Sequence, residues 1–207
     1  ETPGFHQGET IPDAIEAHAH ALLHVLEQQQ PGGPYRLLGH STGALVAFEM
    51  ARRLEARGER VAQLVLVDCE SPQPSPLPLQ SEQIQLLETL EALVMLGGER
   101  IKYHGLTLAN MALDELYDWA MAELQQRHIL FAPGTPVAAL KRLVALYQAM
   151  VRNHCAYQPD SPVSAPTLLI QAQELIDPTK PPSNPTPDCG WQAWCRQPIQ
   201  IAITPGN

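Results

Sequence analysis

The run Tyr35-Arg36-Leu37-Leu38-Gly39-His40-Ser41-Thr42-Gly43-Ala44 joins a short apolar segment, a glycine-flanked serine and the start of a helix-forming segment. Residues 44–58 are rich in strong helix formers and end on a glycine, which suits a helix C-terminus. A sharp strand-to-helix turn forces strained backbone angles on its central residue, and side chains at Gly39 or Gly43 would collide with the crossing elements. The run therefore predicts a strand, a tight turn at Ser41 and a helix.

The serine at this turn has the setting of a nucleophile. A G-x-S-x-G turn between a strand and a helix lifts the serine hydroxyl clear of the sheet, so Ser41 is the candidate for covalent acyl chemistry. The amide of Thr42 then lies at a helix N-terminus, where N–H groups and the helix dipole favour the negative charge that develops on an acyl oxygen. We expect this backbone N–H to be one oxyanion donor.

A second strand should follow the helix. Residues 61–67 form a nearly continuous apolar run, which is typical of a parallel-sheet strand that is covered on both faces. Asp68 stands at the carboxyl end of this run, and catalytic groups in open α/β sheets gather at that end of the strands. An acid at this position is able to orient a histidine.

Three segments resemble the thioesterase domains of nonribosomal peptide and polyketide synthases: Pro34-Tyr35-Arg36-Leu37-Leu38-Gly39-His40-Ser41, Ala47-Phe48-Glu49-Met50-Ala51 and Leu64-Val65-Leu66-Val67-Asp68. The resemblance is good over roughly residues 1–72. It implies an α/β-hydrolase fold, with a mostly parallel sheet, flanking helices and a helical lid insertion. By similarity, Ser41 takes the acyl chain from the phosphopantetheine arm of a carrier protein, and Asp68 holds the catalytic histidine. No intrinsic cofactor is implied.

The chain is expected to form a single domain in three parts. Residues 1–72 would be the hydrolase core with the nucleophile turn, residues 73–160 a helical lid insertion, and residues 161–207 the remaining core strands. The insertion opens with a proline-rich connector and continues through three helix-patterned stretches: 81–96, 113–131 and 136–154. In the resembling family such a lid shapes the acyl tunnel.

The third catalytic residue is expected outside the chain. Residues 198–203 alternate like a half-buried strand, and a glycine-containing loop follows them. In the resembling family the catalytic histidine comes directly after such a loop, so we expect it just beyond Asn207. The second oxyanion donor is expected upstream of Glu1, and we interpret the chain as an internal piece of a larger catalytic domain.

The histidines within the chain are weaker candidates for the base. Three follow Asp68 and fall within the predicted helical insertion, where a solvated side chain is the ordinary expectation: His104, His128 and His154. His154 is the most plausible of them because it precedes the strand predicted at residues 167–170. His40 is expected to be packed or supporting, since a neighbour in so tight a turn points away from the serine hydroxyl.

No metal site is expected. The upstream histidines include a pair spaced four apart: His18, His20 and His24. No carboxylate or cysteine completes a site, and His18 falls on an apolar stripe with Ile15 and Leu22, so it should pack in the core.

A second acid is possible after the later strand. Glu174 and Asp177 follow residues 167–172, and some α/β-hydrolases carry the acid at that point. Asp177 lies in a proline-rich loop, where an aspartate commonly caps a turn. Chiefly because of the family resemblance, we favour Asp68, with Asp177 as the runner-up.

Composition limits the remaining possibilities. The chain has 207 residues, 44% of them hydrophobic, and a net charge of −9, which argues against a nucleic-acid partner. No apolar run is long enough to predict a membrane span. The four cysteines have no zinc-like spacing, and reduced thiols in a cytoplasmic protein are the default expectation.

The expected function is release of an acyl, peptidyl or polyketide chain from a carrier protein, by hydrolysis or macrocyclisation, with the carrier in the same polypeptide. Two alternatives remain open on sequence grounds. A carboxylesterase or lipase acting on free esters would share every motif around Ser41. A noncatalytic α/β-hydrolase-like module is the other alternative.

Overall fold

The computed structural model describes residues 3–6, 8–76, 81–96, 111–172 and 186–205. Helices and strands follow one another in this order: α1 (Ile15–Gln29), β1 (Tyr35–His40), α2 (Thr42–Ala56), β2 (Val61–Val67), α3 (Glu82–Leu96), α4 (Leu113–Gln126), α5 (Val137–Ala156), β3 (Thr167–Ala172), a 3-10 helix (Trp191–Trp194) and β4 (Gln200–Thr204). The chain divides into two compact units. The sheet unit comprises Pro12–Pro76 and Met150–Asn207, and the helical unit comprises Glu1–Ile11 and Leu77–Ala149.

The sheet unit is built on four parallel strands in the order β1-β2-β3-β4. Leu37 of β1 pairs with Leu64 of β2, and Leu66 of β2 pairs with Leu169 of β3. Because all the strands run in one direction, the segments that leave β1, β2 and β3 emerge at the same edge of the sheet. The predicted parallel sheet with helices is confirmed for the part of the chain that the structure describes.

One face of the sheet is much better covered than the other. Side chains of β1 alternate between buried and exposed, and Leu38 is 69% exposed. In β2 the fully buried Leu64 and Leu66 alternate with half-buried neighbours such as Val65. The expectation that β2 is covered on both faces therefore holds only in part for the described residues. An apolar run reports the composition of a strand, not whether a second layer covers it.

A charged network is buried on α2. The Glu49 side chain is fully buried and accepts hydrogen bonds from Arg52, Arg53 and the Tyr157 hydroxyl, with a Tyr157 Oη–Glu49 Oε2 distance of 2.8 Å. Burial alone would raise the pKa of the carboxyl, but these three donors outweigh it and hold the pKa below its ordinary value. The network ties α2 to the chain that follows α5.

We expect Glu49→Ala to lower the free energy of unfolding by about 3 kcal/mol or more, because it leaves buried donors without their acceptor. The matched control is Glu27→Ala, which removes an exposed ion pair with Arg57 and should cost less than about 1 kcal/mol. Urea denaturation measures both. Since the pKa of Glu49 is depressed, its contribution should be present at neutral pH and fade as the pH falls through that pKa. Equal losses in the two variants would contradict the assignment.

The helical unit has its own apolar core. Leu86 and Leu90 of α3, Leu116 of α4 and Leu140 of α5 are fully buried in one cluster. The predicted helix at 113–131 ends earlier, at Gln126, because His128 and Leu130 adopt left-handed backbone angles that stop it. Among the helices of the described residues, none combines the length and apolar character needed to cross a bilayer.

Candidate active site

Ser41 sits at a strained turn between β1 and α2. Its backbone angles are φ 52° and ψ −131°, a conformation that L-residues rarely adopt. The Ser41 N–H donates to the Val67 carbonyl at 2.8 Å, and the Ala44 N–H donates to the Ser41 carbonyl at 2.8 Å. The side chain is exposed and makes no capping hydrogen bond to α2. The turn is therefore held by backbone contacts, while Ser41 itself is exposed to solvent.

The two glycines of the turn differ in what they permit. A Cβ atom at Gly39 would lie 2.1 Å from the Gly43 carbonyl oxygen, so no side chain fits there. A Cβ atom at Gly43 would have nothing within 4 Å. The expectation of a collision is thus right for Gly39 and wrong for Gly43, because only the strand side of the turn runs against the helix backbone.

Thr42 is the first residue of α2. The N–H groups of a first helical turn have no partner within the helix, and the helix dipole places partial positive charge there. No acidic side chain occupies this first turn. The Thr42 hydroxyl oxygen lies 3.2 Å from Nδ1 of His154. This end of α2 can therefore accept negative charge next to Ser41.

Asp68 follows β2 directly and is held by the neighbouring strand. It has a left-handed φ of 45°, and its N–H donates to the Ile170 carbonyl at 2.9 Å. The Ala172 N–H donates to the Asp68 Oδ1 at 2.7 Å, which fixes the orientation of the carboxylate. The register pairs His40 with Val67, so Ser41 and Asp68 each leave the sheet one residue after a paired position. The structure therefore brings the two predicted residues to adjacent strand ends.

A buried aromatic contact supports the segments behind both residues. The rings of Phe48 on α2 and Trp191 lie with centroids 5.3 Å apart, and the Trp191 indole N–H donates to the Cys69 carbonyl at 2.7 Å. Burial raises the pKa of the Cys69 thiol to about 12, so this cysteine is a neutral packing residue and not a nucleophile. Trp191 thus connects the helix behind Ser41 with the loop that carries Asp68.

His154 departs from expectation. It was predicted to be solvated, but it is partly buried and contacts Thr42, 112 residues away in sequence. Burial lowers its pKa, and the charge of Glu70 acts in the opposite direction. No spacing in the sequence signals this contact, because α5 reaches α2 only in the folded chain. Sequence reasoning missed it for that reason.

The other histidines differ in how far they are buried. His18 is buried, as predicted, and burial lowers its pKa. His128 is exposed, also as predicted. His40 is exposed too, so the expectation that it packs is wrong, and a supporting role for it stays a prediction. Within the described ranges no group of three or more histidine, cysteine or acidic side chains could hold a metal. Other candidates lie outside the described residues: His104, Glu174 and Asp177.

A cavity of about 430 Å³ lies at the opposite edge of the sheet from Ser41. Its lining comes from the residues that precede or begin β2 and β3, including Glu59, Arg60, Ser164 and Pro166. Because catalytic groups gather at the carboxyl ends of the strands, this cavity is not part of the site.

Comparison with known proteins identifies the family of the chain. The family model for the thioesterase domain matches residues 1–207. Chondramide synthase cmdD of Chondromyces crocatus is 27% identical over 205 residues, which cover 97% of this chain and 5% of the synthase. Enterobactin synthase component F of Escherichia coli K12 is 48% identical over 63 residues, which cover 30% of this chain and 5% of that protein. The chain thus spans a small part of these relatives.

Solved structures show the same fold. A four-domain nonribosomal peptide synthetase bound to AMP and glycine matches all of this chain and 15% of its own, with a TM-score of 0.86 and 22% identity. The Vlm2 thioesterase domain matches all of this chain and 73% of its own, with a TM-score of 0.66 and 17% identity. These matches establish an α/β-hydrolase fold. Because the family model covers its whole length, the chain belongs to the thioesterase domain family.

Proposed function

We propose that this domain releases an acyl, peptidyl or polyketide chain from the phosphopantetheine arm of a carrier protein, through an acyl-enzyme on Ser41. The observation that carries the proposal is the strained, exposed Ser41 beside β2, the strand that Asp68 directly follows. Chondramide synthase and enterobactin synthase component F, which contain similar segments, are named as synthases. A carrier domain in the same polypeptide is part of the proposal.

The reaction has two steps. In the first, a histidine oriented by Asp68 takes the Ser41 proton while Oγ attacks the thioester carbonyl carbon. The C–S bond then breaks, and the histidine returns the proton to the departing pantetheine sulfur. In the second, water or a hydroxyl or amine of the acyl chain gives a proton to the histidine and attacks the carbonyl carbon of the serine ester. The bond between that carbon and Oγ then breaks and the histidine passes the proton to Oγ, which gives hydrolysis or macrocyclisation and restores Ser41.

The oxyanion of each tetrahedral intermediate is proposed to bind the Thr42 N–H. The first turn of α2 supplies the unpaired amide and the favourable dipole. Helices α3, α4 and α5 are inserted in sequence between β2 and β3, and we propose for them the role of a lid over the acyl chain.

The test uses full-length protein and a panel of acyl-N-acetylcysteamine thioesters, with products read by mass spectrometry. A free acid carries the mass of one added water relative to a macrocycle, so the two outcomes separate directly. The matched oxygen esters address the alternative of a carboxylesterase or lipase, which would prefer them. Covalent labelling of Ser41 by a fluorophosphonate addresses the noncatalytic alternative, which predicts no labelling.

The acid assignment has its own test. Asp68→Asn should lower kcat by about ten-thousandfold, because an amide cannot stabilise the imidazolium that forms during catalysis. Asparagine still offers an oxygen to the Ala172 N–H, so the thermal unfolding midpoint should change little. The control is Asp177→Asn, which should leave kcat near that of the unchanged enzyme. A larger loss in Asp177→Asn than in Asp68→Asn would transfer the role to Asp177.

A further inference from the structure

His154 and Thr42 form a polar contact at the residue that follows the proposed nucleophile. The His154 Nδ1 lies 3.2 Å from the Thr42 Oγ1, within hydrogen-bond distance. Thr42 also carries the backbone N–H proposed as the oxyanion donor. We propose that His154 is a positioning residue, which holds the Thr42 side chain and through it the orientation of that N–H. The inference rests on the proposed function of Ser41.

The chain around His154 is anchored on several sides. The Asn153 side-chain amide donates to the Pro12 carbonyl at 3.0 Å, and the Ser75 N–H donates to the Cys155 carbonyl at 3.0 Å. Tyr157, three residues beyond His154, donates its hydroxyl to the buried Glu49 of α2. These contacts hold the end of α5 against its neighbours in the sheet unit. His154 is therefore a fixed partner for Thr42.

Because residue 42 is a threonine, a contact to its side chain also affects its backbone angles. Threonine is β-branched, and its χ1 rotamer is closely coupled to its own backbone angles. A hydrogen bond that fixes χ1 therefore restricts the φ of Thr42, and φ orients the peptide N–H toward the acyl oxygen. Oxyanion donors act through such prior orientation, so a small loss of order there lowers kcat.

The ring of His154 suits this structural hydrogen bond. A neutral imidazole has one donor and one acceptor nitrogen, and either tautomer can pair with a hydroxyl, which both donates and accepts. His154 contacts the hydroxyl next to the nucleophile and so acts through Thr42. Its role is distinct from that of the proton-shuttling histidine held by Asp68.

The test is a double-mutant cycle in full-length protein, with acyl-N-acetylcysteamine turnover as the assay. His154→Leu and Thr42→Val each remove one partner while keeping a similar volume, and each should lower kcat about tenfold with KM changed less than about twofold. The double variant should be no worse than either single variant, because both break the same hydrogen bond. His154→Asn, whose amide can reach the Nδ1 position, should recover most of the loss.

Each other outcome overturns the inference. Additive losses, about a hundredfold in the double variant, would show that the two residues act independently. A loss of about a thousandfold or more in His154→Leu without recovery in His154→Asn would make His154 the proton shuttle itself. Unchanged kcat in both single variants would show that the contact is only packing. Failure of the proposed function is distinguishable, because Ser41→Ala would then match the unchanged enzyme whatever His154 does.

Discussion

Replacing Ser41 by alanine should abolish thioester turnover. The hydroxyl at the strained turn is the atom proposed to form the acyl-enzyme, and loss of a serine nucleophile typically lowers kcat by about a millionfold. Because Ser41 is exposed and its side chain makes no helix-capping bond, the alanine variant should unfold at nearly the same temperature as the unchanged protein. Single-turnover mass spectrometry should show no acyl adduct on the variant.

The matched control is Ser75→Ala in the same unit. Ser75 is exposed, and the contact that holds it uses its backbone N–H, so its hydroxyl is dispensable. Turnover and fluorophosphonate labelling should both persist in this variant. If Ser41→Ala kept undiminished turnover while remaining folded, the nucleophile assignment would be wrong.

Gly39→Ala should be the most destabilising single change at the turn. Its Cβ would lie 2.1 Å from the Gly43 carbonyl oxygen, and that oxygen belongs to backbone that cannot rotate away. To relieve this clash, β1 and α2 would have to separate. We therefore expect the free energy of unfolding to fall by roughly 3 kcal/mol or more, or the variant to fail to fold. Urea denaturation, or the soluble yield where the variant does not fold, measures the effect.

Gly43→Ala provides the comparison at the other glycine of the same turn. A Cβ there meets nothing within 4 Å, and Gly43 lies inside α2, where alanine is the better helix former. We expect the free energy of unfolding to stay the same or to rise by up to about 1 kcal/mol. Equal destabilisation of the two variants would refute the steric account of the turn.

Local patterns in the sequence were sufficient to predict β1, α2 and β2 and to propose Ser41 as the nucleophile, whereas the choice of Asp68 over Asp177 rested chiefly on the family resemblance. Apolar periodicity and glycine placement act within a few residues, so they can be read without the fold. The adjacency of Ser41 and Asp68 could also be predicted from the sequence, since consecutive parallel strands end at one edge of a sheet. The early end of α4 at Gln126 did not follow, because nothing in its pattern requires the left-handed angles at His128 and Leu130.

The sequence by itself determined the strand-turn-helix, the serine at its apex and the acid after the next strand, because each depends on residues close together along the chain. Only the tertiary structure decided that Gly43 faces open space, that Tyr157 completes the Glu49 network and that His154 meets Thr42. The last two contacts join residues more than a hundred positions apart. Such contacts arise from the packing of the end of α5 and the segment that follows it, which no local spacing encodes.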